Sequence, residues 1–507
     1  MEYENTLEFL MINGEDLTLE DVREVAVFGR KIMIAADARK RMEESYALVG
    51  EILRSGKATY GISTGFGEFS RVYLSEDQNN RLQLNLIRSH ASGAGRPFDV
   101  KTVRAIMLLR LNALCVGFSG VNPDIVDLLV SFLNLGITPL IPEQGSLGAS
   151  GDLANLAHMS LVLVGEGRAI VDGIEMSGQA ALEARHLTPM KLSGKDGLAL
   201  INGTAVMLGV GTLAYLEAED VLIAANGAAA LTFEALHGFR SAYDQRVHEL
   251  RKQKGQMQVA SVMRQLLEGS DYADTRKEDV QDAYTLRCVP QVHGASLDAM
   301  RYVREVLSSE ANAVTDNPLV FSKTGEVISG GNFHGQPLAL ALDFLGIAVA
   351  ELANISERRT ERLVNPQLSG LPAFLVKNGG VQSGFMIPQY VAASLVSENK
   401  VLAHPASVDS IPSSANKEDH VSMGAFAARK VRTIIENTRR VIAIELMCAA
   451  QAIDLQEKRQ LGKGTGRIYE LVRQTIPVLT EDRSLSGDIE AIAKLIVCGK
   501  MTNILRF

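Results

Sequence analysis

Apolar residues recur along most of this chain with the period of a helix. In residues 101–116, Val103, Ile106, Met107, Leu111 and Leu114 follow i, i+3, i+4 spacing, the pattern of an amphipathic helix. Leu297, Met300, Val303 and Leu307 repeat it over 297–307. No proline lies between Pro337 and Pro366, so that stretch reads as one long helix ending in the charged turns of "SERRTERL". A second proline-free stretch runs from about Met423 to Gln456. Strand-like alternation is scarce. Together these features predict a mainly α fold built on an elongated central helical bundle.

Between the helical stretches sit compact segments that mix glycine with polar and aromatic residues: "YGISTGFGEFS" (60–70), "QGSLGASGDLA" (144–154), "LINGTA" (200–205), "SGGNFHGQP" (329–337) and "SSANKEDHVSMG" (413–424). Loops of this kind on rigid helices are where sites are usually built. A loop-rich first part, residues 1–200, gives way to a mostly helical remainder, 201–507, which sets an expected domain boundary near residue 200.

Composition narrows the functional classes. Across 507 residues the hydrophobic share is 46% and the charged share 22%, enough for a large core and too apolar for disorder. A net charge of −8 without any long basic run leaves no footprint for nucleic acid. The N-terminal segment is acidic where a signal peptide would be basic. The most apolar stretch, "PLALALDFLGIAVAEL", is interrupted by Asp343 and reads as too short for a membrane span. Cys115, Cys288, Cys448 and Cys498 are widely spaced and suggest neither a disulfide framework nor a zinc knuckle. A soluble, cytoplasmic protein is the expectation.

The glycine loops match none of the common catalytic signatures. There is no P-loop, no dinucleotide-binding Gly-x-Gly-x-x-Gly after a strand, no nucleophile elbow and no His-Glu-x-x-His. What remains is a tripeptide, Ala149-Ser150-Gly151, with a second copy at Ala91-Ser92-Gly93. In a compressed loop, the nitrogen of a glycine can reach the carbonyl carbon two residues earlier and close a five-membered ring. The closing residue must lack a side chain. A serine between them can then lose its hydroxyl as water, leaving a methylidene group that is an electrophile ordinary side chains do not supply.

"GSLGASGDLANLAH" resembles the signature of the aromatic amino acid ammonia-lyases, which make a 4-methylidene-imidazol-5-one (MIO) group from Ala-Ser-Gly. The resemblance extends over nearly the whole chain, through "YGISTGFG", "LINGT", "QDAYTLRCVPQVHG", "TDNPLVF", "SGGNFHGQP", "ISERRTERLVNPQ" and "SVDSIPSSANKEDHVSMG". It implies a fumarase/aspartase-like helical architecture with an N-terminal MIO-bearing region. It also implies a homotetramer with active sites shared between chains, and no exogenous cofactor, metal, nucleic acid or membrane partner.

Carried over residue by residue, the resemblance implies that Ala149, Ser150 and Gly151 form the MIO group and that Asn202 hydrogen-bonds it. Tyr60 is the implied base and Tyr284 a second phenol beside the group. Arg287 suits the substrate α-carboxylate as a bidentate cation, with Gln281 and Phe333 lining the pocket. Ser89-His90 stands where histidine-selective members carry Ser-His and tyrosine- or phenylalanine-selective members carry His-Leu or Phe-Leu. A neutral imidazole has one donor and one acceptor, which His90 and Glu418 could satisfy. The implied reaction is elimination of ammonia from histidine to give urocanate. The alternative is a tyrosine or phenylalanine lyase, or a 2,3-aminomutase, on the same scaffold. Ser63, Ala205, Lys417 and Asn155 depart from the family's usual residues; Ala205 and Lys417 fall nearest the implied pocket.

Overall fold

A computed structural model describes residues 9–55, 59, 61–62, 64, 75–275, 280–497, 499 and 501–502. The fold is mainly α, as the periodicity predicts. The two proline-free stretches are the helices Gln336–Val364 and Gly424–Asp454, and the 297–307 pattern lies inside the helix Val289–Ala311. Strands are short and form small two- or three-stranded sheets, such as Phe9–Ile12 parallel to Lys31–Ile34 and Arg168–Val171 antiparallel to Ile174–Ser177.

The chain divides into two compact units. One comprises 1–216, 304–343 and 405–429; the other comprises 217–303, 344–404 and 430–507. This division differs from a single boundary near residue 200. Each unit is assembled from separated stretches, and the boundaries at 216, 303, 343 and 429 fall inside long helices rather than in linkers.

In the first unit the helix Val100–Cys115 starts at Asp99, whose carboxylate accepts the Thr102 N–H at 2.8 Å. Its spacing predicted an amphipathic helix, but every residue from Thr102 to Cys115 is buried. The polar positions face protein instead of water, and each is satisfied by backbone. Arg104 donates to Val25 O and Leu133 O. Arg110, fully buried, donates to Ala199 O and Thr315 O. Asn112 donates to Ala311 O at 2.8 Å and accepts from Gly14 N at 3.0 Å. Side chains of this kind tie distant segments to one helix, because each buried donor must find an acceptor.

The helix Asp196–Ile201 extends the same arrangement. Lys195, just before it, donates to Asp316 Oδ2 at 2.6 Å with both side chains wholly buried. Asp196 accepts the N–H groups of Asn122 and Ser193, each at 2.8 Å. Asn122 itself caps the helix Pro123–Leu135, which ends at Gly136 in the left-handed conformation.

In the second unit Glu445 accepts from Thr232 Oγ1 (2.8 Å), Ser356 Oγ (2.6 Å) and both Nε and Nη2 of Arg359 (2.5 and 2.9 Å). The "SERRTERL" turns therefore do not form only a charged surface: Ser356, Arg359 and Thr360 are buried. The helix Gln336–Val364 has 29 residues, so it is long and apolar enough to cross a membrane, unlike the sequence expectation for that stretch. Two-thirds (67%) of its most apolar window is instead buried within the protein. Asp343, which interrupts it, accepts the Ser407 N–H at 2.7 Å within the first unit.

Burial raises the carboxyl of Asp196 from 3.8 to about 7, against the lowering effect of its hydrogen bonds and of Lys195. Between those two values the folded chain holds a proton that the unfolded chain has released, so stability must fall as pH rises through that window. Asp196→Asn removes the titration. Denaturant midpoints for wild type and variant should therefore differ in a pH-dependent way, the wild type losing ground steadily from pH 4 to 7. A difference independent of pH would contradict the burial argument.

Candidate functional site

The segment 145–152 forms a loop between the strand Pro142–Gln144 and the helix Leu153–Leu163, and its glycines Gly145, Gly148 and Gly151 have positive φ. At Gly151, with φ +73, an added Cβ would overlap the backbone of Gly203, lying 2.6 Å from its nitrogen. Gly203 is itself closed in: a Cβ there would meet Arg110 Nη1 and lie 2.5 Å from Thr315 O. Two backbones thus touch with no side chain between them, an approach only glycine allows.

Asp152 fixes the far side of the loop. Its N–H donates to Gly203 O at 2.7 Å, and its Oδ2 accepts the N–H groups of Val206 and Met207, both at 2.9 Å. That carboxylate caps the start of the long helix Ala205–Ala235, where the helix dipole favours negative charge. Burial nevertheless raises it to about 6, and nearby Glu310 adds to the rise. Ser146 Oγ lies 2.8 Å from Asp152 Oδ1 and accepts the Gly148 N–H at 3.1 Å. From the other direction, Met423 N donates to Leu147 O and Ser422 Oγ to Gly148 O, each at 2.9 Å.

Ser150 Oγ donates to Glu418 Oε1 at 2.7 Å. Glu418 is held by a tight return: Ser413 and Glu418 exchange backbone hydrogen bonds across Ser414, Ala415 and Asn416, all with positive φ. The Ser413 hydroxyl takes the second carboxylate oxygen at 2.8 Å. His90 ends the helix Glu76–His90. Burial pushes its pKa below the usual histidine value, while the charge on Glu418 acts in the opposite sense. Near neutrality its ring is uncharged, with one donor and one acceptor.

Asn202 follows the helix Asp196–Ile201 and precedes Gly203. Its Nδ2 donates to Asn317 O at 3.0 Å, and its Oδ1 is buried with no hydrogen-bond partner among the described residues. Phe333 lies on the glycine-flanked loop before Gln336. The Nδ1 of the next residue, His334, accepts the Gln336 N–H at 3.3 Å, and its Nε2 lies 3.3 Å from His420 Nδ1.

These residues belong to the first unit: Ala149, Ser150, Gly151, Asn202, His90, Phe333 and Glu418. Gln281, Tyr284 and Arg287 belong to the second, where the Arg287 guanidinium lies 4.6 Å from the centre of the Tyr284 ring. Tyr284 is 70% exposed, and Arg287 Nε is buried with no hydrogen-bond partner among the described residues. Tyr60 lies outside the described residues. Ala205 is buried at the first turn of its helix, and Lys417 is exposed beside Glu418.

Ala91-Ser92-Gly93 is arranged differently. The Ser92 N–H donates to His90 O at 2.7 Å, and the Gly93 N–H is committed to His158 Nε2 at 3.1 Å. Sequence reasoning missed Arg110, Lys195, Asp316 and Ser413, which hold the site residues from beneath. Asp316 lies within "TDNPLVF", but nothing in that motif marks it for this role.

The aromatic amino acid lyase family model matches residues 17–474. The histidine ammonia-lyase of Treponema denticola is 61% identical over 486 residues, covering 96% of each chain. The crystal structure of histidine ammonia-lyase from Trypanosoma cruzi superposes with a TM-score of 0.92 at 42% identity, covering 98% of this chain and 94% of that one. The tyrosine aminomutase of Streptomyces globisporus gives 0.94 at 38% identity, with 98% of each chain covered. The chain belongs to the aromatic amino acid lyase family.

The Gly151–Gly203 contact can be tested by comparing two alanine substitutions. Gly173 also has positive φ (+80) but open space around it, so Gly173→Ala isolates the backbone strain of about 1–2 kcal/mol. Gly151→Ala adds a steric collision, and should lose about 1–3 kcal/mol beyond that control in denaturant unfolding. Equal losses for the two variants would mean that Gly203 yields freely.

Proposed function

We propose that this chain eliminates ammonia from L-histidine to give trans-urocanate, using an electrophile made from Ala149, Ser150 and Gly151. The observation that carries the reading is the Ser150–Glu418 hydrogen bond beside His90. It joins the candidate electrophile to Glu418, whose charge acts on His90, the second group suited to an imidazole ring. The 61% identity to a histidine ammonia-lyase over almost the entire chain supports the same substrate. In support of ring closure, the closing residue sits where no side chain fits, and the preceding serine is in hydrogen-bond contact with a carboxylate.

The MIO group would supply an electrophile that captures the substrate amine and turns it into a better leaving group. The remaining work falls to ordinary side chains. Once the Ser150 hydroxyl has left as water, Glu418 Oε1 is free to accept the N–H of a substrate imidazole, with Ser413 holding the other oxygen. His90, neutral, addresses the second ring nitrogen. A phenyl or phenol ring would leave both groups without partners, a strong source of rejection. Asn202 stabilises negative charge at the electrophile, an oxyanion-type role. Arg287 holds the α-carboxylate, with Gln281 and Phe333 lining the pocket. Tyr60 removes the β-proton, and Tyr284 is the second phenol. The enzyme works as a cytoplasmic homotetramer with sites shared between chains.

Purified protein given histidine should accumulate urocanate, followed by its ultraviolet absorbance, and Ser150→Ala should reduce the rate at least about 1000-fold, as expected when covalent catalysis is lost. His90→Leu should cut kcat/KM for histidine about 100-fold or more while sparing the electrophile. Coumarate from tyrosine, or a β-amino acid product, with no urocanate from histidine, would overturn the substrate assignment.

A further inference from the structure

Closing a five-membered ring from Ala149, Ser150 and Gly151 requires the loop to be pressed short, and something rigid must resist that pressure. The structure contains a stack suited to this. Gly151 rests on Gly203 with no room for a side chain, and Gly203 in turn rests on the guanidinium of Arg110. Arg110 is fully buried in the helix Val100–Cys115. Its Nε and Nη2 both donate to Ala199 O, and its Nη1 donates to Thr315 O at 2.8 Å. Ala199 O precedes the Asn202–Gly203 turn in the helix Asp196–Ile201, and Thr315 O belongs to the 315–317 segment that holds the Asn202 amide. A planar fork with several fixed donors can bridge two carbonyls and still present a flat face; an ammonium cannot.

We propose that Arg110 is a positioning residue for self-processing: its guanidinium is the backing against which Gly203 compresses the Ala149-Ser150-Gly151 loop for cyclisation. This rests on the reading that the chain makes its own electrophile. In the step itself, the Gly151 nitrogen bonds to the Ala149 carbonyl carbon. That carbonyl oxygen leaves as water with the protons of the Gly151 and Ser150 nitrogens, forming a C=N bond. The Ser150 hydroxyl then leaves as a second water with the Ser150 Cα proton. No oxidant or reductant is involved.

Arg104 provides an internal control. It lies on the same helix, is also buried, and also donates to two backbone carbonyls, Val25 O and Leu133 O, but has no part in the stack. Intact mass of the purified full-length chain reads cyclisation directly, independent of turnover. Wild type should weigh two water masses less than its sequence. Arg110→Lys should leave most molecules at full mass, whereas Arg104→Lys should retain the deficit even if its melting temperature falls as far. Arg110→Gln, which keeps a planar donor, should recover part of the deficit, and serves in place of the lysine variant should that one fail to fold. A natively melting Arg110→Lys or Arg110→Gln with the complete deficit overturns the proposal and leaves the lyase reading intact. A wild-type chain at full mass overturns the lyase reading itself.

Discussion

The contact between Gly151 and Gly203 is the constraint around which the first unit is organised. It is a contact of backbone on backbone, and it needs three separate stretches of chain to be held in register. Asp152 supplies much of that hold. Its N–H goes to Gly203 O, while its carboxylate caps the helix Ala205–Ala235, so a single residue fixes the loop to the turn and to the helix that follows. Displacing the helix by one residue would break the cap, and displacing the loop would open the glycine contact. Neither element can relax without the other.

Holding such a contact has an electrostatic cost. Beneath the turn lie Arg110, Lys195, Asp316 and Asp196, all buried, with Glu310 close to Asp152. Moving charges out of water costs several kcal/mol each unless partners replace the lost hydration, and a well-paired buried ion pair only roughly recovers it. Here the partners are mainly backbone groups: Ala199 O and Thr315 O for Arg110, and the N–H groups of Asn122 and Ser193 for Asp196. An apolar core would have been cheaper. What the polar one adds is direction, since each bond fixes one carbonyl or one N–H at a distance of about 3 Å, where apolar packing tolerates sliding. Glu445 and Arg359 do the same in the second unit, where four hydrogen bonds meet on one carboxylate.

This use of polar groups explains which features were legible in the sequence. The long helices were, because proline-free stretches of apolar residues have few other solutions. The helix Val100–Cys115 was legible as a helix but not as a buried one: periodicity marks where apolar residues recur, while Arg104, Arg110 and Asn112 read as a wet face. Their acceptors are carbonyls, which carry no sequence signal at all. The two units were illegible for a related reason, since each combines stretches far apart in the chain and no linker composition marks the change. Among site residues, Ser150 and Glu418 were each visible within a motif, yet their contact spans 268 positions, and only the fold joins them. Ser413 lies in the same motif as Glu418, but nothing there marks that serine as the partner of the carboxylate.

That long-range contact bears on how specificity and self-processing are related in the proposed enzyme. Before dehydration Glu418 Oε1 already accepts from the Ser150 hydroxyl, so a substrate imidazole would share that oxygen with a competing donor. In the proposed reaction, loss of the hydroxyl would remove that competitor in the step that completes the electrophile. An unprocessed chain would thus lack the means to capture the amine and would offer the ring only a shared acceptor. The tight left-handed return from Ser413 to Glu418 anchors the carboxylate independently of Ser150, because its second oxygen accepts from Ser413 Oγ at 2.8 Å. A longer, looser loop would let the carboxylate follow the departing water. If Glu418 receives the substrate ring as proposed, the strain in Ser414, Ala415 and Asn416 would serve specificity by holding that acceptor fixed.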